Sequence, residues 1–527
     1  MPDSDAIVRQ IEAVFRKDPD RVFLIESMTQ RTWTFAQMHD WGLRAASLLK
    51  AEGVGKGDRV GLLLANSAEF VAFYFGCLFL GAVAVPVNQA LHTSEITYIL
   101  EHSGVRLVLF SRCTRSIVLQ ATQKMPSLRQ VRVSLGQEQS FHPEDAEETW
   151  NLDSVKPEAG ITPLAGVSDD DLLLILFTSG TTGMPKGVVH CVRSEFGNAL
   201  AFNKAMGFGP DHRFLHLWPM AYSSGYLNTL MSPFMAGSSV VLTCAFTAQT
   251  ILNFWKPVKD HQANTLWLSP TMMASLLRMD RDQDGHRYCR ENVRTVCVGT
   301  APLALKLKKD FEARYGVECM ESYGLSELLI LCANTPSHPR KENAVGRLLE
   351  GVELAVADEQ GVIQTAAGSE GELMARTRCR MLGYLDAESL QVQTLDEAAW
   401  FPTGDIGLVD ADGDVFITGR KKDLIIRGGQ NLSPRGIREV LLNHPSVEDA
   451  VVVGIPHDFY GEEVAAALRL KPGLQLADEQ SDILTLCRRL LAQAAVPTRL
   501  KQVEEFPLGS TGKILNREVR ALLMTPA

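Results

Sequence analysis

Residues 176–190 read LFTSGTTGMPKGVVH, a cluster of hydroxyls and glycines that closes on one lysine, Lys186. Glycines let backbone N–H groups approach oxygen anions, and hydroxyls and an ammonium add further donors, so this composition suits a phosphate cradle. It is not the P-loop pattern. With Gly180 as the first glycine, Pro185 stands at the second and Gly187 replaces the Ser/Thr that would hold magnesium. A polar hairpin turn after a buried strand accounts for the same residues, and both readings stay open on this stretch alone.

The surrounding elements must position that loop. DLLLILF, residues 171–177, is a buried strand feeding straight into it. From about Arg21 to Phe110 helical periods alternate with short apolar runs such as DRVGLLLAN and VRLVLF, and from about Phe214 to Leu331 strands are predicted at SSVVLT, NTLWLSP and VRTVCVG. This is the βα rhythm of helix-covered, mostly parallel sheets. Residues 134–170 are polar, acidic and proline-bearing, which predicts a long surface connection. Beyond Gly346, short strands and turns such as ADGD predict a small β-rich unit, and GRKKDLIIRGGQNLSP leads into a compact α+β region. The fold class is therefore α/β, with an N-terminal domain over residues 1–421 and a C-terminal α+β domain over 422–527.

Length and composition bound the rest. A chain of 527 residues exceeds one ordinary core. With 52 Lys+Arg against 62 Asp+Glu, the net charge of -10 argues against a nucleic-acid surface and against adhesion to anionic lipid. The ten cysteines are scattered without a C-x-x-C pair and are read as reduced thiols. MPDSDAIVRQ has two aspartates and no apolar core, so it reads as neither a secretory signal nor an Arg-rich transit peptide, which points to the cytoplasm. Residues 70–87, FVAFYFGCLFLGAVAVPV, are uncharged over a length that could just cross a membrane. Gly76, Gly81 and Pro86 interrupt them, so the expectation is a buried helix to about Leu80, a turn at Gly81 and a short buried strand, with no integral membrane span.

Further stretches follow the opening loop in order: VGTAPL at 298–303, ESYGLSE at 321–327, WFPTGDIG at 400–407, GRKKDLIIRGGQNLSP at 419–434 and GSTGKILNREVR at 509–520. Together with the loop they resemble the adenylate-forming superfamily, which includes acyl-CoA synthetases, peptide-synthetase adenylation domains and beetle luciferases. The resemblance spans nearly the whole chain. It implies that a carboxylate attacks the α-phosphate of ATP to give an acyl-adenylate and pyrophosphate, after which a thiol displaces AMP.

The resemblance also implies roles, residue by residue. Thr178, Ser179, Gly180, Thr181, Thr182 and Lys186 would hold the β- and γ-phosphates, and Glu327 would ligate Mg²⁺, a hard carboxylate for a hard cation. Ser326 stands where the family usually has Thr and keeps the hydroxyl. Tyr323 would stack on adenine, with Gly299, Thr300, Ala301 and Pro302 forming the other wall of the slot. Glu321, Ser322 and Gly324 belong to the same nucleotide-binding stretch. Asp405 would accept from both ribose hydroxyls, and Arg420 would reach the same ribose. Lys513, on the C-terminal domain, would bridge carboxylate and α-phosphate during adenylation. Rotation of that domain about Lys422 would then withdraw Lys513 and bring Arg427, Gly428 and Gly429 against the pantetheine tunnel.

Peptide-synthetase domains place an aspartate after the aromatic of the WPMAYSSGY-like segment to pair with an α-amino group; here Ser223 stands there. With no carboxylate to neutralise a buried ammonium, an α-amino acid is a poor substrate. Tyr222, Ser223, Gly225, Thr300, Gly324 and Leu328 are the candidate acyl-pocket residues, mostly small or apolar, which suits a fatty or aryl acid. Tyr222 departs from the His of many acyl-CoA ligases. The expected reaction is an ATP-, Mg²⁺- and coenzyme A-dependent acid–CoA ligation by a monomer or homodimer. The acceptor is expected to be external, because no carrier domain follows Lys513, and CoA is favoured because the interval from Glu327 to Asp405 is short for the extra segment of ligases that load fatty acids onto carrier proteins. A separate acyl carrier protein is the alternative acceptor. A luciferase-like oxygenase would share these motifs, and a non-catalytic nucleotide sensor would be expected to lose Lys513 or Glu327, both of which are present.

Overall fold

The structure, a computed structural model, describes residues 6–136, 149–178, 184–280, 284–358, 360–508 and 514–525. Three sheets of nine, fourteen and five strands organise the described residues. In the nine-stranded sheet, Arg59–Leu63, Val83–Pro86, Leu107–Phe110 and Arg129–Val133 run parallel, and Leu172–Thr178 joins parallel to Val83–Pro86. In the fourteen-stranded sheet, Val22–Glu26, Ser239–Leu242, Arg213–His216, Thr265–Leu268, Thr295–Val298 and Cys319–Leu325 form the parallel half. The apolar runs SSVVLT, NTLWLSP and VRTVCVG are therefore strands, buried on both faces as parallel strands under helices must be.

The uncharged segment forms the helix Ala68–Leu80, capped by Ser67, whose side chain accepts from the Phe70 N–H, and closed by Gly81 at φ 66° before the strand Val83–Pro86. Its apolar residues run all round because it lies in the largest hydrophobic core, against the helix Phe35–Ala51. Gly76 permits that approach: a Cβ there would stand 2.8 Å from the Ala45 Cβ. Among the described residues no helix is long and apolar enough to cross a membrane.

One expectation changes. The stretch 134–170 is not purely a surface connection: Thr149–Trp150 pairs with Arg129–Val133, and Trp150 is buried and stacks on Phe73 at 6.0 Å. Its scattered apolar residues find the core that its average polarity conceals. The small β-rich unit is present, and its strands extend the fourteen-stranded sheet. Leu329–Ala333 pairs antiparallel with Cys319–Leu325, and Ala344–Leu348, Asp414–Arg420 and Phe401–Val409 follow in the same sheet. Gly383–Leu385 instead joins the nine-stranded sheet beside Lys186–Cys191. Cys319–Leu325 is thus the strand where the fourteen-stranded sheet changes from parallel to antiparallel.

The five-stranded sheet is built from residues after Lys422, with Val447–His457 and Gly461–Leu470 as its long antiparallel pair. Its core includes Ile437, Leu441, Val464 and Leu468, and Ala304 packs into it.

Candidate active site

The opening loop leaves the strand Leu172–Thr178 and returns along Lys186–Cys191, with Thr178 paired opposite Lys186. The hairpin and the cradle are therefore compatible: a sheet hairpin carries the loop and sets its base. Ser179, Gly180, Thr181 and Thr182 lie outside the described residues. The Lys186 ammonium stands 5.5 Å from the ring centre of Tyr384, a cation–π distance.

Tyr384 links that hairpin to the ESYGLSE stretch. It sits on Gly383–Leu385, opposite Val188 of Lys186–Cys191, and its hydroxyl donates to Glu327 Oε1 at 2.9 Å. Burial, and then the Glu327 carboxylate, push the phenol above its ordinary range, so it remains a donor. Sequence reading did not select Tyr384. MLGYL has no chemistry-bearing spacing, and the only signal is strand pairing with Val188.

Glu327 occupies the turn between Cys319–Leu325 and Leu329–Ala333. The Met381 N–H donates to the Glu327 carbonyl at 2.8 Å, and Leu328 N–H to the Leu325 carbonyl. Among the described residues no group of three or more His, Cys, Asp or Glu could hold a metal by itself. A single carboxylate fits Mg²⁺, which takes one or two protein carboxylates and completes its shell with phosphate oxygens and water.

Tyr323, on the same strand, points to the antiparallel half. Its hydroxyl donates to Asp405 Oδ2 at 2.7 Å, while Arg420 Nε donates to Asp405 Oδ1 at 2.7 Å. Asp405 and Arg420 are cross-strand partners, so their pairing is dictated by sheet register. The carboxylate is 2% exposed, yet each oxygen retains a lone pair beyond these bonds, which suits it to accept from a diol as well.

Between these clusters the backbone is crowded and bent. Gly324 has no room for a side chain: a Cβ would lie 1.9 Å from the Leu329 carbonyl oxygen. Thr300 holds φ 72°, a left-handed conformation that a β-branched residue adopts at a cost of roughly 1–3 kcal/mol and that concentrates at functional sites. Gly299 precedes it, with a Cβ position 2.9 Å from Ser322 Oγ. Ala301 and Pro302 continue that loop at the surface. Glu321 is different. Its carboxylate is buried and bound to Lys308 Nζ at 2.7 Å, which ties its strand to the helix Leu305–Tyr315.

Tyr222 packs beside Trp218, ring centres 6.1 Å apart, and Trp218 Nε1 donates to the Trp267 carbonyl at 2.9 Å. Ser223 precedes a π-helix, Ser224–Met231, a wide helical turn that is frequent at functional sites. Gly225 lies in it, where a Cβ would stand 2.1 Å from the Pro219 carbonyl oxygen. Leu328 is separated from this group: it is fully buried with Leu331 and Ala375, whereas Tyr222 packs on the core containing Trp218 and Trp267.

On the C-terminal domain, Gly428 and Gly429, at φ 56° and 82°, make the two-residue turn between Ile425–Arg427 and Gln430–Leu432. Positive φ at both central positions is the primed-turn geometry, which explains both glycines. Arg427 lies 4.5 Å over the Tyr460 ring and donates to the Ala494 carbonyl. Lys422 is in a short 3₁₀ turn, Lys421–Asp423, and Lys513 lies outside the described residues.

Comparison with known proteins gives this geometry a context. The family model AMP-binding enzyme matches residues 11–385, and AMP-binding enzyme C-terminal domain matches residues 437–513. The chain is 29% identical over 500 residues to a sulfoacetate–CoA ligase of Cupriavidus necator, covering 94% of each. It is 33% identical over 505 residues to the fatty acid–[acyl-carrier-protein] ligase ScoC of Streptomyces coeruleorubidus, covering 93% of this chain and 91% of that protein. Among solved structures, the anthranilate CoA ligase AuaEII in complex with anthranoyl-AMP superposes with a TM-score of 0.86 at 25% identity, over 99% of this chain and 98% of that one.

Proposed function

The chain belongs to the AMP-binding enzyme family and is an AMP-forming acid–CoA ligase, and from that membership we propose that it activates a fatty or aryl monocarboxylic acid for transfer to coenzyme A. The observation that carries the acid class is the make-up of the candidate acyl pocket. Tyr222, Ser223, Gly225, Thr300 and Gly324 include no cation, so a second anionic group on the substrate would be buried without a partner. They include no anion either, so an ammonium fares no better.

In this reading ATP lies between the two clusters. The ribose is held at Asp405 with Arg420 beside it, and Tyr323 covers the purine against Gly299–Pro302. Lys186 and the hydroxyls of Thr178, Ser179, Thr181 and Thr182 grip the β- and γ-phosphates, so that charge growing on the departing pyrophosphate meets positioned donors. Glu327, oriented by Tyr384, would hold Mg²⁺, which when bound neutralises phosphate charge. Lys513 would donate between the acid's carboxylate and the α-phosphate. Lys422 serves as the hinge, and Arg427 to Gly429 line the thiol's path in the second half-reaction.

The test is AMP and acyl-thioester production from ATP and magnesium across fatty, aryl, dicarboxylic and amino acids, with and without CoA. CoA-dependent turnover confined to fatty or aryl acids is expected. Preference for a dicarboxylate or sulfonate would overturn the pocket argument, and adenylate formation that ignores CoA would favour a carrier-protein acceptor, as in ScoC.

A further inference from the structure

The turn that carries Glu327 is also held by the histidine that ends the opening stretch. His190 lies four residues beyond Lys186 on the same strand, fully buried, and its Nε2 is 2.8 Å from the Ser326 carbonyl oxygen. A carbonyl can only accept, so Nε2 carries the proton and Nδ1 presents a lone pair. Nδ1 faces Glu195 Oε1 at 3.8 Å, and Glu195 is also fully buried, on the helix Val192–Met206. Neither Nδ1 nor either Glu195 oxygen has a hydrogen-bond partner among the described residues. Burial raises the Glu195 carboxyl to about 8 and lowers His190 to about 4, so near neutrality a carboxyl O–H stands opposite an imidazole lone pair.

Two polar side chains in the core cost desolvation that apolar residues of the same shape would avoid. Their placement indicates what they secure. The same helix binds two neighbouring backbone segments: Ser194 Oγ donates to the Arg380 carbonyl at 2.7 Å, and Asn198 Nδ2 to the Ile330 carbonyl at 2.8 Å. The segment from Arg380 supplies the Met381 N–H and the Tyr384 hydroxyl to Glu327.

We propose that His190 and Glu195 are positioning residues for Glu327: Glu195 orients the imidazole, and the imidazole fixes the Ser326 carbonyl so that the Glu327 carboxylate stays beside Tyr384. This rests on the reading of Glu327 as the magnesium ligand. The full-length protein is titrated with ATP by calorimetry, with and without magnesium, and the ratio of the two Kd values is compared among variants with melting temperatures recorded. His190→Leu should shrink the magnesium-dependent gain in ATP affinity about tenfold while metal-free ATP binding stays within about twofold of wild type. Glu195→Leu should move the ratio in the same direction, and His190→Gln and Glu195→Gln, which keep an N–H toward the Ser326 carbonyl and toward Nδ1, should recover most of it. If His190→Leu does not fold, His190→Asn, too short to reach Ser326, takes its place. A wild-type ratio in the Leu or Asn variant, or an equal loss with and without metal, overturns the proposal. Glu327→Gln is the reference: if it keeps the full magnesium-dependent gain, the reading of Glu327 itself has failed.

Discussion

The phenol of Tyr384 donates to the carboxylate of Glu327 across 2.9 Å, joining residues 57 apart in sequence, while its ring faces the Lys186 ammonium. One side chain therefore touches both the base of the hydroxyl–glycine loop and the acid opposite it.

Tyr384→Phe keeps the ring face and removes the donor to Glu327. A hydrogen bond to a charged group contributes about 1.5–3 kcal/mol, so the magnesium concentration for half-maximal pyrophosphate release should rise roughly tenfold with little change in melting temperature. An unchanged magnesium requirement would remove Tyr384 from the site.

The two half-reactions should separate by variant. Lys513→Ala should slow adenylate formation by about 3–4 kcal/mol in barrier, as for loss of one oxyanion donor, and leave thioester formation from supplied acyl-adenylate near wild type. Lys422→Pro should do the reverse. The local turn hydrogen bond runs from Leu424 N to the Arg420 carbonyl, so a proline at 422 takes no donor from it. Equal loss of both steps in Lys422→Pro would refute the hinge, and unimpaired adenylation in Lys513→Ala would refute the donor.

Gly324→Ala should damage folding as well as activity. Its Cβ would sit 1.9 Å from the Leu329 carbonyl oxygen, where only backbone movement makes room. Overpacking of this kind costs about 1–3 kcal/mol, to be read as a lower midpoint in urea unfolding. Gly299→Ala should be milder, because its Cβ meets the Ser322 hydroxyl, which can rotate.

Glu195 should leave a signature in stability against pH. Burial raises its carboxyl from an ordinary 4.5 to about 8 in the folded protein. Between those values the unfolded chain releases a proton that the folded state keeps, so this residue's contribution to stability falls as pH rises across the window. Of the groups facing it, His190 is lowered to about 4, Cys379 is raised to about 11, and Tyr74 and Tyr226 are raised above the phenol range, so none of them titrates there in the folded state. The melting temperature of Glu195→Gln relative to wild type should therefore climb from pH 5 to pH 8. A constant difference would mean that Glu195 is not held protonated.

The strands and the buried helix were legible in the sequence because burial on both faces leaves local apolar runs, and Gly81 could be read as a stop because it ends such a run. Lys186, Glu327 and Asp405 were singled out through motifs, each a short window of residue types. Tertiary structure alone decided which windows meet. Tyr384 reaches Glu327 because Gly383–Leu385 pairs with Lys186–Cys191, Arg420 binds Asp405 because of a strand register, and His190, with Glu195 beside it, meets the Ser326 carbonyl. Helical and strand periodicity express each residue's own burial, within a few positions of itself. The partner of a strand edge or a buried imidazole is chosen by long-range backbone pairing and packing, which leave no periodic trace in the chain.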